Sequence, residues 1–176
     1  MIQMGWYAHC TFAHTTLDIK KGDFWPMLVH HLAALVLLYL SYTTGYFRTG
    51  VSTVFCLDVC DIFLHFAKIT RLVDNVRPIP MPILVVIFSC LVGSWIIFRI
   101  VLFPAKCIYA SSFQGMHYGG WINCDNWFAF NLFLGVIYLL QVYWFYLILS
   151  ACYKFVRFGI DLDDSRDPTF EKTKKE

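Results

Sequence analysis

Hydrophobic positions along this chain fall into long runs, and most charged positions lie between them. Phe24 through Phe47 contains no Asp, Glu, Lys or Arg, which covers the roughly 20 residues a helix needs to cross a hydrocarbon core. Asn126 through Tyr153 is a longer charge-free run, crowded with Phe, Tyr, Trp and Leu, and Met81 through Phe98 is a third. Arg99 lies near the end of the third run and Pro104 is expected to close it. Thr49 to Leu72 reads as a span too, although it carries Asp58, Asp61, His65 and Lys68 among Val, Phe, Leu and Ile. Met1 to Leu17 is apolar but short and rich in Thr and His, and it reads as the second half of a helix. The pattern predicts an all-α, polytopic transmembrane helix bundle of about five spans, the first one partial, over residues 1–158. Residues 159–176 form a polar tail that starts acidic and ends basic, expected to be disordered.

Composition narrows the class further. Of 176 residues, 59% are hydrophobic, 19% aromatic and 15% charged, where soluble domains run near 45–50% apolar and about 25% charged. A net charge of +2 and a mean hydropathy of +0.59 exclude global disorder and a basic nucleic-acid binder, so no nucleic-acid partner is expected. The seven Cys are scattered singly, without the close pairing of a zinc module or a secreted disulfide scaffold, and most read as buried reduced thiols. Neither a basic start nor a small-residue cleavage site follows Met1, so no removable leader is expected. Lys and Arg are lopsided between the two sides. One side carries Lys20, Lys21, Arg71, Arg77 and six more from Lys154 onward, and the other carries Arg48, Arg99 and Lys106. Because such residues collect on the cytoplasmic side, the C-terminus is expected there, with a loop from Ala105 to Asp125 on the opposite face.

The polar residues at membrane depth are the candidate chemistry, since a carboxylate there persists mainly where it has a partner or lines a cavity. Asp58, Asp61, His65 and Lys68 recur at helical spacing and fall within about 80° of one another, forming one polar stripe. A purely structural reading would pair the two aspartates with Lys68. On the preceding span, His30 and His31 are neighbours and point about 100° apart, so one is expected to be primary. The His30 face carries Ala33, Ala34, Leu37, Ser41 and Gly45, mostly small residues that leave room for a chain-like ligand or a close helix. The His31 face, with Leu35, Leu38 and Tyr42, looks more like packing. A neutral imidazole can accept a proton near neutral pH, and a carboxylate at its other nitrogen would stabilise the cation that forms. It can instead attack an activated acyl group and hold it briefly. Adjacent histidines are poor helical chelators, and the His-rich boxes of a membrane di-iron oxidase are absent, so no metal site is expected. His9 and His14 are read as packing or cross-helix hydrogen bonding, and His117 as solvated in a Gly-rich loop.

The run from Gly5 to Arg71 resembles the signature region of ceramide synthases, the longevity-assurance branch of the TLC-domain membrane proteins. Its elements are Trp6-Tyr7-Ala8-His9, the polar turn Asp18 to Phe24, His30-His31, Leu40-Ser41-Tyr42, Arg48-Thr49-Gly50, and Asp58-x-x-Asp61 through Ala67-Lys68. The resemblance implies that His30, His31, Asp58 and Asp61 are the catalytic positions. It implies transfer of a fatty acyl chain from acyl-CoA, as co-substrate and with no other cofactor, to the amine of a sphingoid base, giving a ceramide or dihydroceramide. His30 would be the base or transient acyl carrier, His31 its neighbour or proton relay, and the aspartates would orient and stabilise the imidazolium. His65, Lys68 and Arg71 are the candidate substrate-binding residues, and Lys20, Lys21, Arg71, Arg77, Lys154 and Arg157 could attract the CoA phosphates. The family usually has His before the first Asp and Glu four residues after the second, where this chain has Leu57 and His65. Leu57 is the feature that favours the alternative, a non-catalytic TLC protein that senses lipid or assists membrane insertion.

Members of that family usually have several spans before this region, so the chain is read as lacking the N-terminal part of the domain. Part of the Ala105–Asp125 loop is expected to influence acyl length, and Cys107 and Cys124 to pair within it. Lys172-Thr173-Lys174-Lys175-Glu176 resembles a dilysine retrieval signal. Together these imply a multi-pass protein of the endoplasmic reticulum membrane, surrounded by membrane lipids, with a homo- or hetero-oligomer left open.

Overall fold

The computed structural model describes residues 2–17, 22–74, 77, 79–114 and 124–158, and every element among them is a helix. They run α1 (Ile2–Leu17), α2 (Phe24–Thr43), α3 (Phe47–Asp74), α4 (Met81–Ser94) with its continuations Trp95–Ile108 and Ala110–Gln114, and α5 (Cys124–Phe158). Four stretches are long and apolar enough to cross a membrane: Phe24–Thr43, Phe47–Asp74, Met81–Phe113 and Asn126–Tyr153. The remaining helix, α1, has 16 residues, fewer than the roughly 20 that cross a hydrocarbon core. Only 22–28% of each span is buried inside the bundle. The outer faces carry large apolar side chains such as Val51, Phe55, Leu132 and Leu139, a surface that suits lipid and not water.

The third span departs from the expected end. Pro104 lacks the N–H that would continue an α-helical ladder and its ring crowds the preceding turn. The chain does not stop there. From Trp95 its turns are already bonded five residues apart; this wider register runs through Pro104, where the N–H of Tyr109 donates to the Pro104 carbonyl, and the chain stays helical to Gln114. The loop expected to start at Ala105 is therefore helix for its first ten residues. Trp95, Arg99, Phe103, Cys107 and Ser111 recur at every fourth position and are all buried, so one continuous stripe of this helix faces the bundle. Arg99 thus lies inside the bundle and does not belong with the charges of the outer loop. Cys107 is a free, fully buried thiol, which removes the expected pairing with Cys124. Position 117, the turn at 18–21 and the tail at 159–176, with its dilysine, lie outside the described residues, as do the side chains of Cys124, Lys154 and Arg157.

Small residues govern the contacts of α2. Ala33, Ala34, Leu37 and Ser41 are its buried positions, and small side chains let helix backbones approach where lipid offers no hydrophobic drive for association. The turn into α3 passes through Gly45 at φ 79°, a left-handed conformation that favours glycine. Gly45 therefore belongs to the turn and not to the helix face that carries His30. Just beyond it, Ser41 Oγ donates to the carbonyl of Tyr46 at 2.9 Å, and a Cβ placed on Gly50 would overlap the Ser41 side chain. Two small residues thus set the closest approach of α2 and α3.

Gly50→Ala is expected to destabilise the protein by about 1–3 kcal/mol, because the added methyl must displace Ser41 in a packed contact. Thermal unfolding of the detergent-solubilised protein checks it, and Ser41→Gly in the same chain is expected to recover most of the loss.

Candidate functional site

Polar positions of all five helices gather in one layer within the bundle. The two imidazoles of α2 lie 5.7 Å apart between ring centroids, and their divergence on the helix sends them to different walls. His30 meets α5, its ring packed against the Trp144 indole at 5.2 Å and 84°. His31 meets α1, with Tyr7 at 6.2 Å and His14 at 5.9 Å. His14 is buried, and its Nε2 bonds the carbonyl of Phe24 at 3.0 Å, which is the cross-helix role expected of it. His9 is exposed beside Trp6. The Nδ1 atoms of both His30 and His31 are buried without a hydrogen-bond partner among the described residues. Each imidazole therefore keeps a ring nitrogen uncommitted.

The aspartates are partnered elsewhere. Gln3 Nε2 donates to Asp58 Oδ2 at 3.0 Å, tying α1 to α3. Asp61 Oδ1 accepts from Arg99 Nη2 at 2.5 Å, so its counter-charge is Arg99 and not Lys68. The same Nη2 donates to the Leu57 carbonyl at 2.8 Å, and Nη1 donates to Gln141 Oε1 at 2.8 Å. The guanidinium lies over the Trp95 ring at 4.1 Å, while the Trp95 indole N–H donates to the Gln141 carbonyl at 3.3 Å. One cation thereby joins α3, the α4 continuation and α5. No hydrogen bond links His30 or His31 to Asp58 or Asp61 among the described residues. Down the stripe, His65 and Lys68 are exposed and Arg71 is half-buried. The Nδ1–H of His65 is placed to donate to the carbonyl of Asp61 at 2.6 Å. These three lie toward the C-terminal end of α3.

Next to the polar layer lies a narrow apolar cleft, partly open to the surroundings. Its walls include Tyr7, Ala34, Leu37, Gly50, Leu57 and Phe130. The face of His30 read from the sequence is therefore buried, and Ala34 and Leu37 open onto room. Leu57 is almost wholly buried here, so the position where the resembling family carries His serves this chain as cleft wall.

Arg99, Gln141 and Trp144 are the members that the sequence pattern did not single out. Arg99 was hidden by Pro104, which made it look terminal. Gln141 carried a usable signal, because an amide in the charge-free run Asn126–Tyr153 needs a partner at membrane depth. Trp144 carried none, being one aromatic among many.

Arg99→Lys keeps the charge but loses the planar fork that reaches three acceptors. It is expected to cost about 1.5–3 kcal/mol, the range for a hydrogen bond to a charged group. An unchanged unfolding midpoint in detergent would contradict that role.

Comparison with known proteins places this geometry. The TLC domain family matches residues 1–150. Ceramide synthase LOH2 of Arabidopsis thaliana is 27% identical over 160 residues, covering 89% of this chain and 52% of that protein. Ceramide synthase hyl-2 of Caenorhabditis elegans is 28% identical over 180 residues, covering 98% and 53%. Ceramide synthase 1 of Homo sapiens is 28% identical over 158 residues, covering 88% and 45%. The chain spans about half the length of these relatives. With that match over most of its length, the chain belongs to the TLC-domain family.

Proposed function

We propose that the chain carries the acyl-transfer site of a ceramide synthase in the endoplasmic reticulum membrane. The observation that carries the reading is the pair of buried imidazole nitrogens without partners, set beside an apolar cleft in a layer that also holds two carboxylates. The substrates are a fatty acyl-CoA and a sphingoid base. The new bond joins the amine nitrogen of the base to the acyl carbon, the thioester C–S bond breaks, and the amine proton passes through an imidazole to the departing CoA thiolate. His30 serves as that base, or first takes the acyl group on its own nitrogen and passes it to the amine. His31 relays the proton, and Asp58 and Asp61 supply negative charge near the imidazolium as it forms. The cleft takes part of an aliphatic chain.

His30 sits six residues into α2, about 9 Å along the helix from its start. That end faces the cytoplasm under the charge count, where Arg71 and Arg77 would meet the CoA phosphates, with His65 and Lys68 on the same helix beneath them. The names of the relatives support the reaction class. The alternative, a lipid-sensing TLC protein without turnover, draws on Leu57 and predicts binding of a sphingoid base with no product.

Microsomes expressing the complete open reading frame, given labelled acyl-CoA and sphinganine, are expected to form N-acylated product. His30→Ala is expected to lower the rate by about 10²-fold or more and Asp58→Ala by a smaller factor, in the range of lost acid–base catalysis. Product formation unchanged by His30→Ala would remove this site from the reaction. The topology is checked separately: an Asn-x-Thr acceptor placed within 115–123 should be glycosylated, and one placed after residue 158 should not.

A further inference from the structure

We infer that the side-chain N–H groups of Gln141 and Trp144, backed by the Arg99 guanidinium, form a donor pocket for the carbonyl oxygen of the acyl group being transferred. This rests on the ceramide synthase reading and adds to it the place where negative charge develops.

Gln141 is fully buried, and Arg99 and Trp144 are 4% and 6% exposed. The orientation of the Gln141 amide is fixed by its neighbour, because a guanidinium has only donors and so must face the amide oxygen. The Nε2 of Gln141 is then directed away from Arg99, and it has no acceptor among the described residues. The same holds for Trp144 Nε1 and Arg99 Nε. Gln141 and Trp144 are three residues apart on α5 and share a face. The Trp144 ring rests against His30, the proposed base or acyl carrier.

Leaving a buried donor unsatisfied costs about 1–3 kcal/mol. Three such donors, on Arg99, on its partner Gln141 and on Trp144 one turn along α5 against His30, are more than helix packing needs, since Leu or Phe would fill the same space without that cost. The charge of Arg99 is already met by Asp61. The remaining donors therefore suit an oxygen with partial or transient negative charge and not a permanent anion such as phosphate. A thioester carbonyl fits that description. When a nucleophile adds to the acyl carbon, the C=O π pair moves onto the oxygen, where the fixed N–H dipoles stabilise it with little reorganisation. When the pair returns, the C–S bond breaks and the CoA thiolate leaves with the proton given up by the nucleophile.

Two substitutions in the complete protein test this. Trp144→Phe keeps a ring against His30 and deletes one N–H. Gln141→Glu keeps an acceptor for Arg99 and deletes both amide donors. In each, kcat is expected to fall about 10²-fold with KM for both substrates unchanged, the size of loss seen when one such donor is removed. Unchanged kcat, or a loss confined to KM, would overturn the inference. A second readout needs neither turnover nor a folded variant. A non-reactive acyl-CoA analogue with a ¹³C-labelled carbonyl, bound to the unaltered protein, should show its C=O stretch at lower frequency than in membranes alone, and an unshifted band would overturn the inference. If the unaltered protein forms no N-acylated product, the ceramide synthase reading fails and takes this with it. If it turns over and the variants match it, this inference alone fails.

Discussion

The arrangement of the bundle depends on one cation held inside it. A guanidinium at membrane depth is costly unless its donors are met, and both terminal nitrogens of Arg99 are met by a carboxylate, a backbone carbonyl and an amide from two other helices. Those acceptors belong to Asp61 and Leu57 of α3 and Gln141 of α5. The bonds of Arg99 to Asp61, Leu57 and Gln141 therefore fix the register of three helices along the membrane normal, which apolar contacts in lipid specify poorly. It also fixes the wall that His30 faces, because Trp144 lies one turn from Gln141 on α5.

From that wall the site divides into a polar layer and an apolar cleft. On the polar side, Gln3 binds Asp58 and the α1 residues Tyr7 and His14 enclose His31. On the apolar side, the small residues of α2 and Gly50 of α3 leave the space that Tyr7 and Leu57 close off. The departures of this chain from the ceramide synthase pattern have physical counterparts here. Leu57 contributes its side chain to the cleft and its carbonyl to Arg99, and His65 bonds back to its own helix at Asp61. Neither residue brings a further imidazole to the layer.

The spans were legible in the sequence because a helix must be about 20 residues long and apolar to cross a bilayer, and soluble domains, with about a quarter of their residues charged, seldom keep charge out of so long a run. The buried face of α2 was legible from the small residues at helical spacing around His30, and the stripe on α3 from the cost of carboxylates at depth. The ionic partner was not, because Lys68 lay on the same helix at a suitable spacing while Arg99 lay about forty residues away beside a proline. The rule that proline ends a helix fails at Pro104, since the chain can shift to a wider hydrogen-bond register and continue. The same shift carried Cys107 from an expected loop into the core. Direct contact between histidine and aspartate was the natural reading of residues one helix apart, but side-chain direction depends on rotation about each helix axis, which the linear pattern does not fix.

The most direct measurement of this account is a double-mutant cycle on the ion pair, with Asp61→Asn, Arg99→Gln and the two together, read as unfolding free energies in one detergent. The account predicts that the double variant loses less than the two single losses combined, by a coupling of about 0.5–3 kcal/mol. Strictly additive losses would mean that Asp61 and Arg99 do not hold each other, and the wall on which the site is built would need another support.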